Sequence, residues 1–282
     1  MTTIIKDETL TAIGDAIREK TGKTNKLTPA EMATEIAGIT TGGGVDTLSD
    51  LMSDTLESVT FNGETVLKNY FFSGKTALKN VTIPNTTKVG ENVFEDCTGL
   101  EKIVLGKLVG RNSLWSNPAL FPRNCFAGCT SLKDLSFKDD AYDDNANGYA
   151  IETQFCTNCR SLKNFPFYKG CIRIDSYAFK GCSSLELTKI QGGIDIFDYA
   201  FSECASLKKL WVDKEIVLRT GKSKTFIRQN AFWGDSGLTD VYCNFQSEDN
   251  CIQAGAFPAK TTIHYGVSEQ EFDDILAAGG TE

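Results

Sequence analysis

Tyr177-Ala178-Phe179-Lys180-Gly181-Cys182-Ser183-Ser184-Leu185 is one copy of a sequence motif that recurs through most of the chain. The next copy runs from Tyr199 to Leu207, and other copies place an anchor residue at positions 72, 94, 126, 156, 232 and 257. By subtraction, the eight anchors are 22, 32, 30, 23, 22, 31 and 25 residues apart. A unit of 22–23 residues with three insertions explains every step except the last. This period predicts a solenoid, because each unit buries its apolar face against its neighbours.

Each unit contains two apolar runs joined by the segment Phe-x-x-Cys-x-x-Leu. The run after the leucine alternates, as in Leu210 and Val212 after Leu207, which predicts a strand. A second strand is predicted before the phenylalanine, as at Ile172 and Ile174. The joining segment has helical or 3₁₀ spacing. The predicted fold is therefore a mainly β repeat solenoid with short helical or 3₁₀ corners.

Over residues 69–265 this pattern resembles the BspA-type leucine-rich repeat, whose consensus is close to Ala-Phe-x-x-Cys-x-x-Leu-x-x-Ile-x-Ile-Pro. Val81-Thr82-Ile83-Pro84 keeps even the terminal proline. The chain departs from the pattern at its insertions and at Lys75 and Asp235, which replace the cysteine. The resemblance implies a leucine-rich repeat fold, and the insertions put a regular curvature in doubt.

The chain has ten cysteines, which raises the alternatives of a disulfide framework or a zinc site. Zinc takes about four ligands, and His264 is the only histidine. Cys156 and Cys159 form a C-x-x-C pair, but Cys156 stands where other repeats have phenylalanine. We expect a buried column of reduced thiols and no metal, since five cysteines occupy one repeat position: 97, 129, 159, 182 and 204.

Two short helices are predicted before the repeats. Leu10, Ile13 and Ile17 share one face of the first, and Thr28 opens a capping box with Glu31 in the second. So small a module needs a partner surface, either on other chains or on the repeat domain itself. We predict a helical assembly or attachment module at residues 1–41, followed by a glycine-rich linker at 42–46.

The N-terminal amino-acid sequence resembles a segment of structural proteins from tailed phages and prophages of gut Firmicutes. The residues concerned run from Ile13 to Lys23, from Leu27 to Met32 and from Ile36 to Ile39. The resemblance implies an assembly module without catalysis. It predicts a homo-oligomer that contacts other virion proteins through residues 1–41.

Both ends of the repeat array are predicted to be closed. Residues 47–68 form an N-terminal cap, with short strands on either side of the Asn62-Gly63 turn. Residues 266–282 form a C-terminal helix in which Ser268 and Glu271 make a capping box. This amphipathic helix is expected to cover the last repeat.

Composition excludes several classes of function. A net charge of −8 and a pI near 4.9 argue against nucleic acid as a partner. No apolar run approaches about 18 residues, so we expect no membrane span. The first twenty residues show no signal peptide. Without a paired nucleophile and base or a phosphate loop, we predict no enzyme activity and no cofactor.

Binding is expected on the first strand of each repeat and in the insertions. Trp211, Tyr242 and His264 are predicted to form an aromatic stripe on the concave face, suited to a protein or glycan. The alternative is that these rings are isolated or covered by a loop or subunit. The outward positions of successive repeats are Thr82, Val104, Ser136, Pro166, Lys189, Trp211, Tyr242 and His264.

The insertions add two weaker candidates. Trp115 is a possible contact residue in the first. The second contains Asp143-x-Asn145-x-Asn147-Gly148, which matches the start of a calcium loop, but Gln154 replaces the closing glutamate. An acidic surface turn is the favoured interpretation, so no metal is predicted.

Three functions follow. The first is a non-enzymatic phage virion protein, assembled in the host cytoplasm, that displays the repeats for attachment to a protein or glycan on the host cell surface. The second is a BspA-like adhesin on a bacterial cell surface. The third is a purely architectural virion component.

Overall fold

The computed structural model describes residues 53–61, 65–83, 87–106, 119–137, 149–165, 167, 171–191, 194–218 and 221–279. The predicted helical module 1–41 and the linker 42–46 lie outside these residues. So do Trp115, Pro166 and the segment from Asp143 to Gly148.

The strands that follow the repeat leucines pair in parallel with those of adjacent repeats, as the alternation predicted, except after Leu162, where residues 163–165 form no strand. These strands form two front sheets of four strands each. The first contains β1 (Ser58–Thr60), β3 (Asn80–Ile83), β5 (Lys102–Leu105) and β7 (Asp134–Phe137). The second contains β10 (Lys189–Ile190), β12 (Lys209–Val212), β16 (Asp240–Cys243) and β17 (Thr262–Tyr265).

The strand before each phenylalanine contributes to the back of the stack. A parallel pair joins β2 (Thr65–Leu67) to β4 (Thr87–Val89). The two strands around the Asn62-Gly63 turn are therefore in different sheets, because β1 pairs with β3 instead of β2. A five-stranded parallel sheet contains β6 (Ala119–Phe121), β8 (Tyr149–Ile151), β9 (Cys171–Ile174), β11 (Asp195–Ile196) and β15 (Phe226–Ile227).

Three further elements lie outside this repeating pattern. In the third insertion, β13 (Glu215–Leu218) pairs antiparallel with β14 (Gly221–Lys224). A 3₁₀ turn spans Ser247–Asp249, and the helix α1 spans Glu269–Gly279. The predicted capping box of α1 is confirmed, since the Ser268 amide donates to Glu271 Oε2 at 2.8 Å and the Glu271 amide donates to Ser268 Oγ at 3.3 Å.

The corners between back and front strands are turns, which corrects the expected helical or 3₁₀ geometry. Their bonds do span three residues, as in Cys97 N–H to the Phe94 carbonyl at 3.1 Å. Each described corner from 70 to 234 also has two left-handed residues four positions apart, with φ of 53–80°. A right-handed helix cannot contain them. The pairs are 70/74, 92/96, 124/128, 154/158, 177/181, 199/203 and 230/234.

The anchor phenylalanines stack in the interior. Ring centroids are 4.8–5.5 Å apart, with interplanar angles of 4–24°, in the pairs 72–94, 94–126, 179–201, 201–232 and 232–257. Cys156 interrupts the column, and Phe155 and Phe165 fill the gap edge-on: Phe155 lies 5.3 Å from Phe126, and Phe165 lies 5.0 Å from Phe179. One continuous apolar core therefore joins the repeats.

The expected cysteine column is confirmed: all ten cysteines are free and buried. Each column thiol donates to the carbonyl of the anchor residue one repeat earlier, from Cys97 to Phe72 at 3.0 Å through to Cys204 to Phe179 at 3.2 Å. Burial raises the pKa of Cys97 to about 12 and that of Cys129 well above its usual value. These two thiols therefore stay protonated, and the buried column as a whole packs as small apolar side chains that donate weak hydrogen bonds.

Truncation of one stacked ring tests this core. Phe201 lies 5.3 Å from Phe179 and 5.1 Å from Phe232, and it is fully buried. We expect Phe201→Ala to lower the free energy of unfolding by about 3–5 kcal/mol in urea titrations, through lost burial and a cavity. Trp233→Ala is the control, because Trp233 is 54% exposed, and it should change stability far less. Equal losses in the two variants would contradict the account.

Candidate recognition surfaces

The front sheet aligns the predicted aromatic positions in one row. Strand register places Lys189 beside Trp211, Trp211 beside Tyr242, and Tyr242 beside His264. The His264 ring stacks on Tyr242 with centroids 4.4 Å apart, and its Nε2 lies 2.9 Å from Asp240 Oδ1. This hydrogen bond lowers the pKa of Asp240. His264 therefore pairs with a carboxylate and an aromatic ring.

The helix α1 covers most of this row, which corrects the expected exposure of the stripe. Only 2% of Trp211 and 7% of Tyr242 is exposed. Phe272 is the buried residue of the helix, and its ring centroid lies 5.2 Å from that of Tyr242. Trp211 Nε1 donates to the Val267 carbonyl at 3.0 Å. The helix thus crosses several repeats of the front sheet. Burial of the two large rings against the apolar stripe of the helix removes apolar surface from water, which is favourable in free energy. The binding role predicted for Trp211, Tyr242 and His264 stays a prediction.

Charged side chains hold the start of α1. Lys189 Nζ donates to Glu269 Oε1 at 2.9 Å and to Asp273 Oδ2 at 2.8 Å, which are one helical turn apart. Gln191 Nε2 also donates to Glu269, at 2.6 Å. Partial burial lowers the pKa of Lys189, but the two carboxylates outweigh it and raise that pKa overall.

A cleft of about 350 Å³ opens beside the start of α1. Its walls are mainly polar and contain neither histidine nor cysteine, so it offers a place for a polar group without an evident nucleophile. The lining residues include Asn164, Phe165, Glu186, Thr188, Gln191 and Glu269.

A second aromatic row lies on the corners, with its two end residues exposed and its central residue, Tyr199, half-buried. We call Tyr177, Tyr199 and Trp233 the turn ridge. Tyr177 and Tyr199 stack with centroids 5.4 Å apart and an interplanar angle of 5°, and Trp233 meets Tyr199 edge-on at 6.3 Å. Trp233 is 54% exposed and Tyr177 37%. The ridge presents aromatic surface from three successive repeats.

Polar groups fix the position of the turn ridge. Lys180 Nζ lies 5.9 Å from the centre of the Tyr177 ring and 3.3 Å from Glu203 Oε1. The Asn230 side-chain amide donates to the Tyr199 hydroxyl at 3.2 Å. The rings are therefore held in place before any partner binds, which reduces the entropy lost on binding.

The backbone under the ridge is strained. Tyr177 and Tyr199 have φ of 63° and 61°, a region that tyrosine rarely adopts. Asparagine, which tolerates this region better, occupies the same position as Asn92, Asn124 and Asn230. Strain at non-glycine residues is a feature from which function can be inferred. Tyr70, with a φ of 63°, and Gln154, with a φ of 60°, occupy the same position in other repeats. Tyr177 and Tyr199 belong to the two consecutive repeats among these that both present a ring, so their rings can stack.

The sequence model of the family described as BspA type leucine rich repeat region matches residues 51–146 and 149–275, in six copies. The chain belongs to this family. The matched ranges exceed half of the 282 residues. The BspA-type repeats therefore account for the leucine-rich repeat fold with its parallel strands. No curated protein matches the chain.

Three solved structures are similar to this BspA-type chain. A leucine-rich repeat protein from Bacteroides ovatus has 20% identity and a TM-score of 0.42; the match covers 74% of this chain and only 42% of that one. The T. pallidum leucine rich repeat protein has 17% identity and a TM-score of 0.44, over 86% of this chain and 93% of that one. A leucine rich cell surface protein from Faecalibacterium prausnitzii has 13% identity and a TM-score of 0.22, over 77% and 92%. This chain thus spans less than half of the Bacteroides ovatus protein.

Within the described part of the BspA-type chain, no group of three or more His, Cys, Asp or Glu residues could hold a metal ion. No helix described there is long and apolar enough to cross a membrane.

One carboxyl extends the thiol column. Asp235 is fully buried at the position where the five column repeats have cysteine, and its Oδ1 accepts the Cys204 amide at 2.7 Å. Its Oδ2 is buried without a hydrogen-bond partner. Burial raises the pKa of Asp235 from 3.8 to about 9, so at neutral pH it carries a proton.

The sequence contains signals for two features that the spacing of the repeats does not reveal by itself. Tyr177 and Tyr199 open the two clearest copies of the repeat, but a position before the buried phenylalanine was not expected to point into solvent. The apolar stripe of α1 predicts a helix that covers the last repeat, whereas the helix also packs on the front strands of earlier repeats, at Trp211 and Tyr242. The matching signal was the pair of large rings on adjacent front strands.

The pH dependence of stability tests the buried proton. Between about pH 4 and about pH 9 the folded chain keeps the Asp235 proton while the unfolded chain releases it, so the free energy of unfolding falls as pH rises. The fall is at most about 1.4 kcal/mol per pH unit. We expect Asp235→Asn to remove this contribution, so that its stability relative to wild type increases from about pH 5 to about pH 8 in urea titrations.

The matched control is Glu203→Gln, which removes the neighbouring carboxylate, 45% exposed, and should leave the slope nearly unchanged. A constant difference between Asp235→Asn and wild type across this pH range would contradict a buried neutral Asp235.

Proposed function

We propose that this chain is a non-enzymatic, BspA-like surface protein, a solenoid that displays its repeats to bind a protein or glycan on another surface. Family membership supports a repeat scaffold. The observation that carries the proposal is the turn ridge, where three aromatic side chains from successive repeats lie on the surface in fixed positions. A cell surface is the location that this function requires.

The composition of the ridge supports recognition. Tyrosine and tryptophan are enriched where proteins bind partners, because they offer a large apolar area with few rotatable bonds and a polar tip. Lys180 and Glu203 stand beside the rings and add charges of both signs. A protein or glycan surface that offers apolar contacts together with hydroxyl or charged groups would fit this arrangement.

The chemistry of the interior supports a non-catalytic role. The column thiols are buried, and the pKa values of Cys129, Cys182 and Cys204 are raised well above the usual range, so these thiols are poor nucleophiles at neutral pH. His264 is engaged by Asp240 and Tyr242. A positioned base beside a nucleophile, which hydrolytic chemistry needs, is not formed by these groups.

The virion hypotheses remain predictions. They rest on the amino-acid sequence of residues 13–39, which lie outside the described residues. No comparison supports them. Attachment through residues 1–41, homo-oligomer formation and a virion location belong to the same hypotheses. The surface-protein proposal stands on the family match and needs none of these residues.

Replacement of the ridge side chains tests the proposal. Tyr177→Asn, Tyr199→Asn and Trp233→Ser use residues that this chain places at the same corner positions, namely Asn92, Asn124 and Ser202. The fold is therefore kept while the rings are removed. The labelled full chain would be applied to a glycan array and to intact bacterial and epithelial cells. We expect the triple variant to lose at least about tenfold in affinity, or about 1.4 kcal/mol.

The control is Lys133→Ala, which removes an exposed side chain of the front face and should bind like wild type. Unchanged binding by the triple variant, or no binding by wild type to any of these surfaces, would contradict the proposal.

A further inference from the structure

The helix α1 and the surface under it form a separate structural unit. Trp211, Tyr242 and Phe272 make their own buried cluster, with Val267, Ile275 and Leu276 packed around them. Their neighbours on the same strands, Leu210 and Val241, belong to the main core instead. Removal of α1 would thus uncover the front-sheet side of this cluster without opening the stack of repeats.

The connection between stack and helix is short. β17 ends at Tyr265 and α1 begins at Glu269, so three residues join them. Gly266 has a φ of 72°, which sets the direction of the chain at this point. A short hinge followed by an element with its own docking site is the arrangement from which domain exchange arises.

The docking surface matches the helix in charge as well as in shape. Lys189 bonds the two carboxylates of the first turns, Glu269 and Asp273. Lys209 lies at the other end, beside Gly279, where a cation favours the helix dipole. Between them, the aromatic floor receives Phe272. The surface therefore selects an acidic amphipathic helix in one direction.

We infer that this surface, which we call the helix seat and which comprises Lys189, Lys209, Trp211 and Tyr242, also binds the C-terminal helix of a second copy of this chain. Two copies that exchange α1 make every contact seen within one chain. This inference is independent of the proposed adhesion function, because the turn ridge takes no part in it.

A second copy is the partner that the contacts favour. The seat recognises a helix by apolar anchors and end charges, a known mode of peptide recognition. An eleven-residue helix is marginal alone in water, so α1 is expected to be helical chiefly when it occupies a seat. Docking on the chain's own seat competes with docking on a second copy, and only the second depends on concentration, so exchange rises with protein concentration.

Charge reversal in two separate full-length variants tests the exchange. Lys189→Glu reverses the seat, and Glu269→Lys with Asp273→Lys reverses the helix. In each variant alone, the side chain at position 189 faces helix side chains of the same charge. In an equal mixture, the seat of each variant can bind the oppositely charged helix of the other variant. We expect light scattering to give the mixture twice the mass of either variant alone. These side chains are 24–47% exposed, so both variants should fold.

The control carries all three substitutions on one chain, which restores pairing within that chain and should keep the mass of wild type at the same low concentration. The inference is overturned if the mixture keeps the mass of its components, or if either variant alone doubles its mass. If a variant fails to fold, the test becomes a concentration series of wild type against Phe272→Ala. If the mass rises with concentration for wild type and not for Phe272→Ala, exchange is supported. If the two proteins have the same mass at every concentration, exchange is overturned.

Discussion

The stack depends on one contact that recurs at every corner except the one at Cys156, the packing of a phenylalanine on the phenylalanine of the next repeat. The spacing of about 5 Å between rings equals the distance between hydrogen-bonded strands. Side-chain stacking and backbone pairing therefore demand the same translation from repeat to repeat. The Phe94 amide donates to the Cys125 carbonyl at 2.8 Å, so even the corner keeps this pairing. Two left-handed residues turn the chain tightly enough to hold the ring inside.

This constraint decides where the surface can vary. A position that is equivalent in successive repeats recurs about every 5 Å, so a row of similar side chains arises from a few substitutions at one repeat position. Tyr177 and Tyr199 show this on the corner, and Trp211, Tyr242 and His264 show it on the front sheet. The first row faces solvent, whereas most of the second is covered by α1. Asp235 shows the same rule inside, since it keeps the place of a thiol only by remaining neutral.

The interior could be predicted from the sequence because it follows the period. Equal spacing placed the five column cysteines together, and alternation gave the register of the front row from Lys189 to His264. The corners were predicted incorrectly, since spacing of three and four residues does not reveal a left-handed φ at Tyr177. The sequence leaves open whether the stripe is covered, and it does not identify α1 as the cover, because α1 lies outside the repeats. Its docking depends on surfaces far apart in sequence, such as Lys189 and Asp273.

Native-state hydrogen exchange on the full chain is the most direct test of the central claim, that corner stacking joins the repeats into one body from which α1 opens separately. The account predicts that the corner amides of Phe94, Phe126, Phe179 and Phe201 exchange slowest and at similar free energies. The amides of α1 should exchange through an opening of clearly lower free energy. Corner amides that exchange as readily as those of α1 would contradict it.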